Sequence, residues 1–144
     1  VVHQTGSVMV DKVKSRYSSQ QTPAEVVAFI DDMAAIYSWA DLIICRSGAM
    51  TVSEVAAVGL PSIMIPFPFA IDDHQTANAQ YLADVNASIL IAESELNAER
   101  LAKEIMHLID EPSLLLEMAT ATRKCAQVGA TKAVAKACFE VVSI

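Results

Sequence analysis

The residue types best suited to chemistry lie where a predicted strand turns into a predicted helix. The apolar run 42–45 ends at Arg46-Ser47-Gly48, and a helix that carries Glu54 in its early turns follows. Glycine lets a backbone approach a ligand closely, and a helix start presents unpaired amide hydrogens to an anion. The turn therefore indicates a phosphate or diphosphate site. It matches neither the Rossmann nor the Walker A motif, so the motif alone does not establish that site.

Glu54 has two interpretations. A carboxylate at this position can accept hydrogen bonds from the vicinal hydroxyls of a ribose, as acidic residues do in dinucleotide-binding folds. The spacing of Thr51 and Glu54 also matches a capping box, in which a glutamate bonds the backbone at the helix start. From the spacing alone, the capping role is the better supported of the two.

Other polar residues also allow both a chemical and a structural role. His3, at a strand end, could act as a base, but no carboxylate partner is evident, which favours a structural hydrogen bond. Asp72, Asp73 and His74 could bind a metal, although adjacent carboxylates in a proline-flanked loop are usually solvated.

The residues around the third predicted strand leave similar alternatives open. Cys45 precedes Arg46, which could lower the pKa of its thiol, although a cysteine on a strand is usually a small buried hydrophobe. Arg46 itself could face a phosphate or form a structural ion pair. Tyr37 and Trp39 are expected to pack rather than to stack on a base.

Predicted strands alternate with predicted helices along the first two thirds of the chain. Asp31 or Asp32 is expected to cap the second helix, and Gly59 and Pro61 to end the third. The predicted strands lie at 1–2, 25–30, 42–45, 62–65 and 88–91, and the predicted helices at 8–17, 33–39, 49–59, 74–85, 97–110, 112–126 and 131–142.

This alternation predicts an α/β fold in one unit, with a mostly parallel sheet and helices on both faces. The strands are apolar throughout, as coverage on both faces requires. In such sheets, ligands bind beyond the carboxyl ends of the strands. Polar residues follow four of those ends, so we expect them to gather on one rim; the segments are 3–6, 29–32, 46–49 and 66–75.

Composition limits the classes of function. The net charge of −7 offers no basic surface to nucleic acid or to anionic lipid. The longest apolar runs fall well short of a membrane span. Three cysteines without metal-ligand spacing indicate a reducing cytoplasm rather than a disulfide framework. The first residues resemble the end of a buried strand rather than a signal peptide, so we expect the chain to belong to a longer protein.

Four ordered segments resemble a known family: HQTG, FIDDMAAIYSWADLIICRSGAMTVSE, AAVGLPSIMIPFP and DHQTANAQYL. They are similar to the C-terminal half of the MurG family of peptidoglycan glycosyltransferases, the undecaprenyldiphospho-muramoylpentapeptide β-N-acetylglucosaminyltransferases. The resemblance covers most of residues 1–92 and, more weakly, the helical remainder. It implies one half of a GT-B glycosyltransferase, in which two Rossmann-like domains face a cleft. The chain, with its helices at about 97–142, would be the donor-binding domain.

The resemblance also implies roles for single residues in binding UDP-N-acetylglucosamine. The backbone of Ile30, next to Phe29, would offer uracil a donor and an acceptor. Glu54 would bind the ribose hydroxyls, which reverses the preference for a capping role. A helix start can stabilise the departing diphosphate, so neither a metal nor another cofactor is implied. The residues implied at that helix start are Ala49, Met50 and Thr51, with Arg46, Ser47 and Gly48 as further contacts, and those implied for the sugar hydroxyls are His74 and Gln75, with Asn78 one turn further on.

For the whole protein, the resemblance implies an inverting transferase that moves N-acetylglucosamine to lipid I. The lipid II formed would serve peptidoglycan synthesis, and hence cell shape and division. The enzyme would be cytoplasmic and peripheral on the inner face of the bacterial membrane. The acceptor site, the membrane contact and the general base would lie in an N-terminal domain, so the chain alone is expected to contain no catalytic residue and to be inactive. Two alternatives stay open: a UDP-N-acetylglucosamine 2-epimerase-like domain and a non-catalytic nucleotide-binding module.

The last predicted helix has two interpretations. Its apolar residues fall on one face, which predicts that the helix packs on this domain. In GT-B proteins, however, the C-terminal helix commonly crosses to the other domain. The resemblance therefore implies that residues 131–144 expose an apolar strip, through which the chain could dimerise.

Overall fold

Strands and helices alternate as far as the fifth strand, and helices alone follow. The computed structural model describes residues 1–69 and 73–142, and the chain divides into two compact units, residues 1–36 and residues from 37 onward. All strand pairs in the described residues are parallel, which confirms the predicted α/β class. The strands are β1 (Val2–Gln4), β2 (Glu25–Val27), β3 (Ile43–Cys45), β4 (Ser62–Met64) and β5 (Ser88–Leu90), and the helices are α1 (Val10–Ser19), α2 (Met33–Trp39), α3 (Ala49–Val58), α4 (His74–Ala83), α5 (Ala98–Asp110), α6 (Pro112–Lys124) and α7 (Ala130–Val142).

The first unit pairs β1 and β2 in parallel, with α1 as the helical crossover between them. Two backbone hydrogen bonds continue the pairing beyond the strands. Thr5 N donates to Val27 O at 3.0 Å, and Gly6 N donates to Ala28 O at 3.1 Å. These bonds fix the chain where it leaves the carboxyl ends of both strands.

The second unit contains a three-stranded parallel sheet in the order β3-β4-β5. Its central strand is covered on both faces, because Ile63 and Met64 point to opposite faces and neither has exposed surface. The expectation that every strand is covered in this way is wrong. Ile44 on β3 is 43% exposed, and in the first unit His3 and Gln4 on β1 are exposed. Each of these strands lies at the edge of its own sheet.

Two helices close one face of the three-stranded sheet. A continuous buried cluster joins Ile63 of β4, Ile65 just beyond it, Ile91 after β5, Leu108 of α5 and Met118 of α6. Burying an aliphatic side chain of this size stabilises a fold by about 1.5–3 kcal/mol. This cluster holds the carboxyl ends of β4 and β5 in place.

Local bonds set the helix starts. Asp32 Oδ1 accepts a hydrogen bond from Ala35 N at 2.9 Å, which confirms one of the two predicted caps of α2. Asn97 Oδ1 accepts from Arg100 N at 2.8 Å at the start of α5. Pro112 opens α6, where its lack of an N–H costs nothing.

The helices are short, and α4 is shorter than predicted. It ends at Ala83 rather than at Val85. Asn86 adopts a left-handed conformation (φ 56°), and Ala87 N donates to Leu82 O at 2.9 Å, so the chain turns back to enter β5. Within the described ranges, no helix has the length and apolar character needed to cross a membrane.

Helix α7 does not pack as its amphipathic spacing predicts. Residues 130–141 are all exposed, with Val134 at 63%, Phe139 at 74% and Val141 at 72%. The prediction of packing on this domain is therefore wrong. The buried cluster on the three-stranded sheet contains Leu108 of α5 and Met118 of α6. Residues 143–144 of the predicted strip lie outside the described residues.

Gly59 ends α3 in the left-handed conformation that the sequence predicts. Its φ is 75°, and its N–H donates to Val55 O at 2.9 Å. A Cβ at this position would stand 3.0 Å from the Cβ of Arg123 and 3.3 Å from the carbonyl oxygen of Ala119.

We expect Gly59→Ala to lower the free energy of unfolding by about 1–3 kcal/mol, since it combines left-handed strain with a close contact against α6. Urea denaturation measures this as a lower midpoint. Gly129→Ala is the matched control, because nothing lies within 4 Å of its Cβ position and its φ is not left-handed. Equal midpoints for the two variants would contradict the prediction.

Cys45 on β3 behaves as a buried hydrophobe rather than as a nucleophile. Burial raises the pKa of its thiol to about 11. A raised pKa keeps the thiol protonated at neutral pH, and the thiolate is the reactive form.

We therefore expect iodoacetamide at pH 8 to alkylate the exposed Cys138 well before Cys45. Labelling of Cys45 should increase as the pH approaches 11, because the thiolate then becomes populated. Mass spectrometry of the two cysteine-containing peptides over time measures both rates. Labelling of Cys45 at pH 8 as fast as that of Cys138 would show that the thiol is activated.

Candidate functional site

Strand β3 leads through a glycine turn into α3, as the sequence predicts. Gly48 is the N-cap of α3, with an extended backbone (φ −61°, ψ 147°) and no capping side-chain bond. Among the described residues other than its chain neighbours, none has an atom within 4 Å of the position that a Cβ on Gly48 would take. Ala49 and Met50 beside it are exposed, Met50 by 74%. The first amide groups of α3 are thus presented without a side-chain cap, the geometry with which helix starts bind anions.

Glu54 is not part of the capping box that its spacing suggests. In that motif Thr51 would be the N-cap, but the helix begins earlier, at Gly48, and Thr51 already lies in its first turn. Glu54 lies a further turn along α3 with an exposed side chain. The capping interpretation is therefore wrong: α3 begins at residue 49, where the sequence predicts it, so Thr51 is not its N-cap.

Glu54 is held instead by Tyr37 of α2. The Tyr37 hydroxyl donates a hydrogen bond to Glu54 Oε2 at 2.9 Å. Tyr37 is only 8% exposed. Burial, and then the hydrogen bond to Glu54 and its charge, raise the pKa of the Tyr37 phenol well above its ordinary value. The phenol therefore remains a hydrogen-bond donor throughout the neutral range.

Ser47 joins the end of β3 to the start of α4. Its side chain is fully buried, and its Oγ donates to the backbone oxygen of Gln75 at 2.7 Å. Asn78 Nδ2 donates in turn to the Ser47 carbonyl at 3.0 Å. The structure thus brings three of the predicted site residues together and gives Ser47 and Asn78 structural bonds.

Gln75 and His74 open α4. The Gln75 Oε1 accepts a hydrogen bond from Phe67 N at 3.0 Å. His74 is exposed at the first position of the helix. The preceding Asp73 is left-handed (φ 53°), and its Oδ1 accepts from Thr76 Oγ1 at 2.6 Å.

Arg46 forms the structural ion pair that the sequence left as one alternative. Its Nη1 donates to the carbonyls of Ile65 at 3.2 Å and Pro66 at 3.0 Å, and it pairs with Glu93 Oε2. The guanidinium carbon lies 5.5 Å from the centroid of the Phe67 ring. Arg46 therefore connects the chain beyond β3, β4 and β5, and its guanidinium is already engaged by protein acceptors.

In the first unit, the backbone at Ile30 is also engaged. Ile30 N donates to Gln4 Oε1 at 2.9 Å. Of the donor and acceptor expected for a base, the N–H is bound to Gln4 in this structure. Phe29 beside it is 69% exposed.

His3 has a structural partner on α1. Its Nδ1 lies 3.2 Å from the Tyr17 hydroxyl, and the two rings meet edge to face with centroids 5.9 Å apart. In the ranges 1–69 and 73–142, no group of three or more His, Cys, Asp or Glu side chains could hold a metal ion. Asp72, which belonged to the weighed metal cluster, lies outside those ranges.

Sequence reasoning missed three of these partners: Tyr37, Glu93 and Gln4. Tyr37 and Glu93 are 17 and 47 residues from the side chains that they bind, so no local pattern links them. Glu93 could have been noticed, because it lies two residues after the predicted fifth strand, at a carboxyl end of the kind where polar residues were expected. Gln4 lay within a predicted polar segment but without a role.

The comparisons with known proteins cover almost the whole chain. Residues 1–137 match the model of the glycosyltransferase family 28 C-terminal domain. A relative from Methylococcus capsulatus is 51% identical over 138 residues, which is 96% of this chain and 39% of the relative. One from Nitrosococcus oceani is 48% identical over 143 residues, 99% of this chain and 40% of the relative. Both are named UDP-N-acetylglucosamine--N-acetylmuramyl-(pentapeptide) pyrophosphoryl-undecaprenol N-acetylglucosamine transferase.

Solved structures agree with these relatives. The crystal structure of Acinetobacter baumannii MurG matches with a TM-score of 0.87 at 43% identity, over 92% of this chain and 40% of that one. The glycosyltransferase VinC in complex with dTDP matches with a TM-score of 0.68 at 21% identity, over 86% of this chain and 29% of that one, which supports the fold alone.

These matches confirm the resemblance that the four sequence segments predict. The chain spans about two fifths of the length of the curated relatives that it matches. By the family model and by its fold, the chain belongs to glycosyltransferase family 28 as a C-terminal domain of that family.

Proposed function

We propose that the chain is the donor-binding domain, residues 1–144, of an inverting transferase. That enzyme moves N-acetylglucosamine from UDP-N-acetylglucosamine to lipid I and so forms lipid II for the peptidoglycan cell wall. The observation that carries the proposal is the start of α3, where uncapped amide groups and an oriented carboxylate, Glu54, occur on one helix. The names of relatives at 48–51% identity support the same reaction.

The diphosphate is assigned to the start of α3. The backbone there follows Gly48, which has no side chain to block an approaching ligand. Ala49, Met50 and Thr51 would lie against the nucleotide. As the bond to the sugar breaks, negative charge grows on the diphosphate, and fixed amide dipoles stabilise that charge without having to reorganise.

The ribose is assigned to Glu54. Its Oε2 accepts from Tyr37, and its Oε1 remains available for ribose hydroxyls. A carboxylate has two oxygens with about four acceptor sites, so one bond to Tyr37 does not exhaust them. Charge-assisted bonds to a carboxylate are among the stronger protein hydrogen bonds.

The sugar and the base are assigned to residues near other strand ends. Gln75 would donate from Nε2 to a hydroxyl of N-acetylglucosamine, with His74 beside it; Ser47 and Asn78 hold the start of α4 that carries both. In the first unit, the Ile30 carbonyl would accept from the uracil N3–H. The Ile30 N–H, which donates to Gln4 Oε1, would have to exchange that bond to reach the base.

The remaining assignments concern the whole protein. Lipid I would bind through an N-terminal domain, which would also supply the general base and the membrane contact. The enzyme would act in the cytoplasm, peripheral on the inner face of the bacterial membrane. The exposed apolar residues of α7 would provide a surface for dimerisation or for that other domain. The relatives are named as transferases, so they favour neither an epimerase nor a non-catalytic module.

The donor assignment predicts that Glu54→Ala weakens UDP binding by about 10- to 100-fold, because hydrogen bonds to a charged group are worth about 1.5–3 kcal/mol. Calorimetric titration of the natural polypeptide containing this chain with UDP-N-acetylglucosamine, UDP and ADP measures this. UDP should bind more tightly than ADP. Glu117→Ala, at an exposed glutamate on α6, is the matched control and should leave the affinity unchanged. Equal binding of UDP and ADP would refute uridine recognition.

The proposal assigns donor binding to this chain and the acceptor site and general base to another domain. It therefore predicts that the purified 144-residue chain alone forms no lipid II from lipid I and UDP-N-acetylglucosamine. The natural polypeptide that contains it should form lipid II, because the acceptor site and the base lie outside the donor domain. Thin-layer separation of radiolabelled product measures both. Turnover by the isolated chain would place the base within residues 1–144 and overturn this division.

A further inference from the structure

The contact between Tyr37 and Glu54 has a consequence beyond the assigned roles. Tyr37 belongs to α2 and is almost fully buried, whereas Glu54 lies on α3 with an exposed side chain. The only atom of Tyr37 that can make a conventional hydrogen bond from its side chain is the hydroxyl, and it donates to Glu54 Oε2 at 2.9 Å. The buried side chain of Tyr37 is thus hydrogen-bonded to the exposed side chain of Glu54.

We propose that Tyr37 is a positioning residue for the donor nucleotide: its hydroxyl holds the Glu54 carboxylate in the orientation that the ribose hydroxyls require. The proposal rests on the assignment of Glu54 to the ribose. Tyr37 itself would not contact the ligand, because its hydroxyl already donates to Glu54 Oε2.

The energetic reason is the freedom of an exposed glutamate. Its side chain has three rotatable bonds, and a ligand that binds it must first order them, at a cost of about 0.5–1.5 kcal/mol for a rotamer-rich side chain. The ring of Tyr37 is fixed by packing, so its hydroxyl occupies one place. The hydrogen bond therefore orders the carboxylate before the ligand arrives.

The direction of the bond is also fixed. Burial of the phenol and the nearby carboxylate both disfavour the phenolate, so the proton remains on Tyr37. Glu54 Oε2 therefore accepts this hydrogen bond from Tyr37. Cys45 also acts electrostatically on the phenol, and its own thiol has a pKa raised to about 11 by burial.

The test compares two ligands on the natural polypeptide that contains this chain. Tyr37→Phe removes one oxygen and keeps the packed ring. We expect the affinity for UDP to fall about three- to tenfold, which corresponds to the ordering cost of one side chain. The affinity for 2′,3′-dideoxy-UDP should stay unchanged, because that ligand has no hydroxyls for Glu54 to bind. In steady-state kinetics, KM for the donor should rise while kcat stays constant, since the ribose is remote from the reacting carbon.

Two controls separate positioning from packing. Tyr81→Phe removes a hydroxyl from an exposed tyrosine on α4 and should change neither affinity. In a Glu54→Ala background, Tyr37→Phe should have no further effect on UDP binding, because a residue that acts through Glu54 loses its influence when Glu54 is gone.

The outcomes are distinguishable. If Tyr37→Phe weakens UDP and dideoxy-UDP equally, or weakens UDP further in the Glu54→Ala background, Tyr37 only supports the fold and the positioning role is overturned. If UDP binding depends on Glu54 but Tyr37→Phe leaves it unchanged, the positioning role alone fails. If wild-type protein does not distinguish UDP from dideoxy-UDP, the ribose assignment fails, and the positioning role fails with it.

Discussion

One buried hydroxyl, that of Ser47, fixes the geometry on which the second unit depends. Ser47 has no contact with water, so its polar atoms must be satisfied within the protein. Its Oγ binds the backbone of Gln75, and its carbonyl binds Asn78. Leaving one such group without a partner costs about 1–3 kcal/mol. Because α3 begins just after Ser47 and α4 begins at its partner, these bonds hold the two helix starts in a single arrangement.

In the proposed site, backbone amide groups rather than a charged side chain would bind the anion. Arg46, the cation nearest the α3 start in the sequence, is paired with Glu93 and bonded to two carbonyls, all through its Nη1. The chain as a whole carries a net charge of −7. In the proposed function, the amide groups at the start of α3 would provide the attraction for an anion. Such dipoles act only within a few ångströms, so they select for a ligand that is already docked.

The sequence predicted those features that depend on neighbouring residues. Asp32 and Asn97 cap their helices through bonds to amides three residues away, and Gly59 ends α3 in the conformation that glycine permits. The strand-turn-helix at 43–58 was readable for the same reason. The number of sheets was not readable, because strand pairing joins residues that are far apart in sequence.

Glu54 shows both what residue spacing can suggest and what only the folded structure can decide. Its spacing from Thr51 suggested a cap, and only the position of Gly48 as the true N-cap excludes it. The bond to Tyr37 joins side chains 17 residues apart and leaves no trace in residue order. The family resemblance implies, independently of this spacing, that Glu54 binds the ribose, and that role is a proposal. What the structure adds is the physical reason for the orientation of the carboxylate.

Under the proposed assignment of the nucleobase to the Ile30 backbone, the bond between Gln4 and Ile30 has a consequence for selectivity. Any base that uses the Ile30 N–H must exchange with the Gln4 carboxamide, so its binding is a replacement of one hydrogen bond by another and not the gain of a new one. A base with an acceptor at that point replaces the lost hydrogen bond with a new one. A base that presents a donor there loses the internal hydrogen bond and gains none. Such an exchange adds little to affinity but disfavours a base that presents a donor. In the free protein, the Gln4 carboxamide would thus be the acceptor with which each nucleobase competes for the Ile30 N–H.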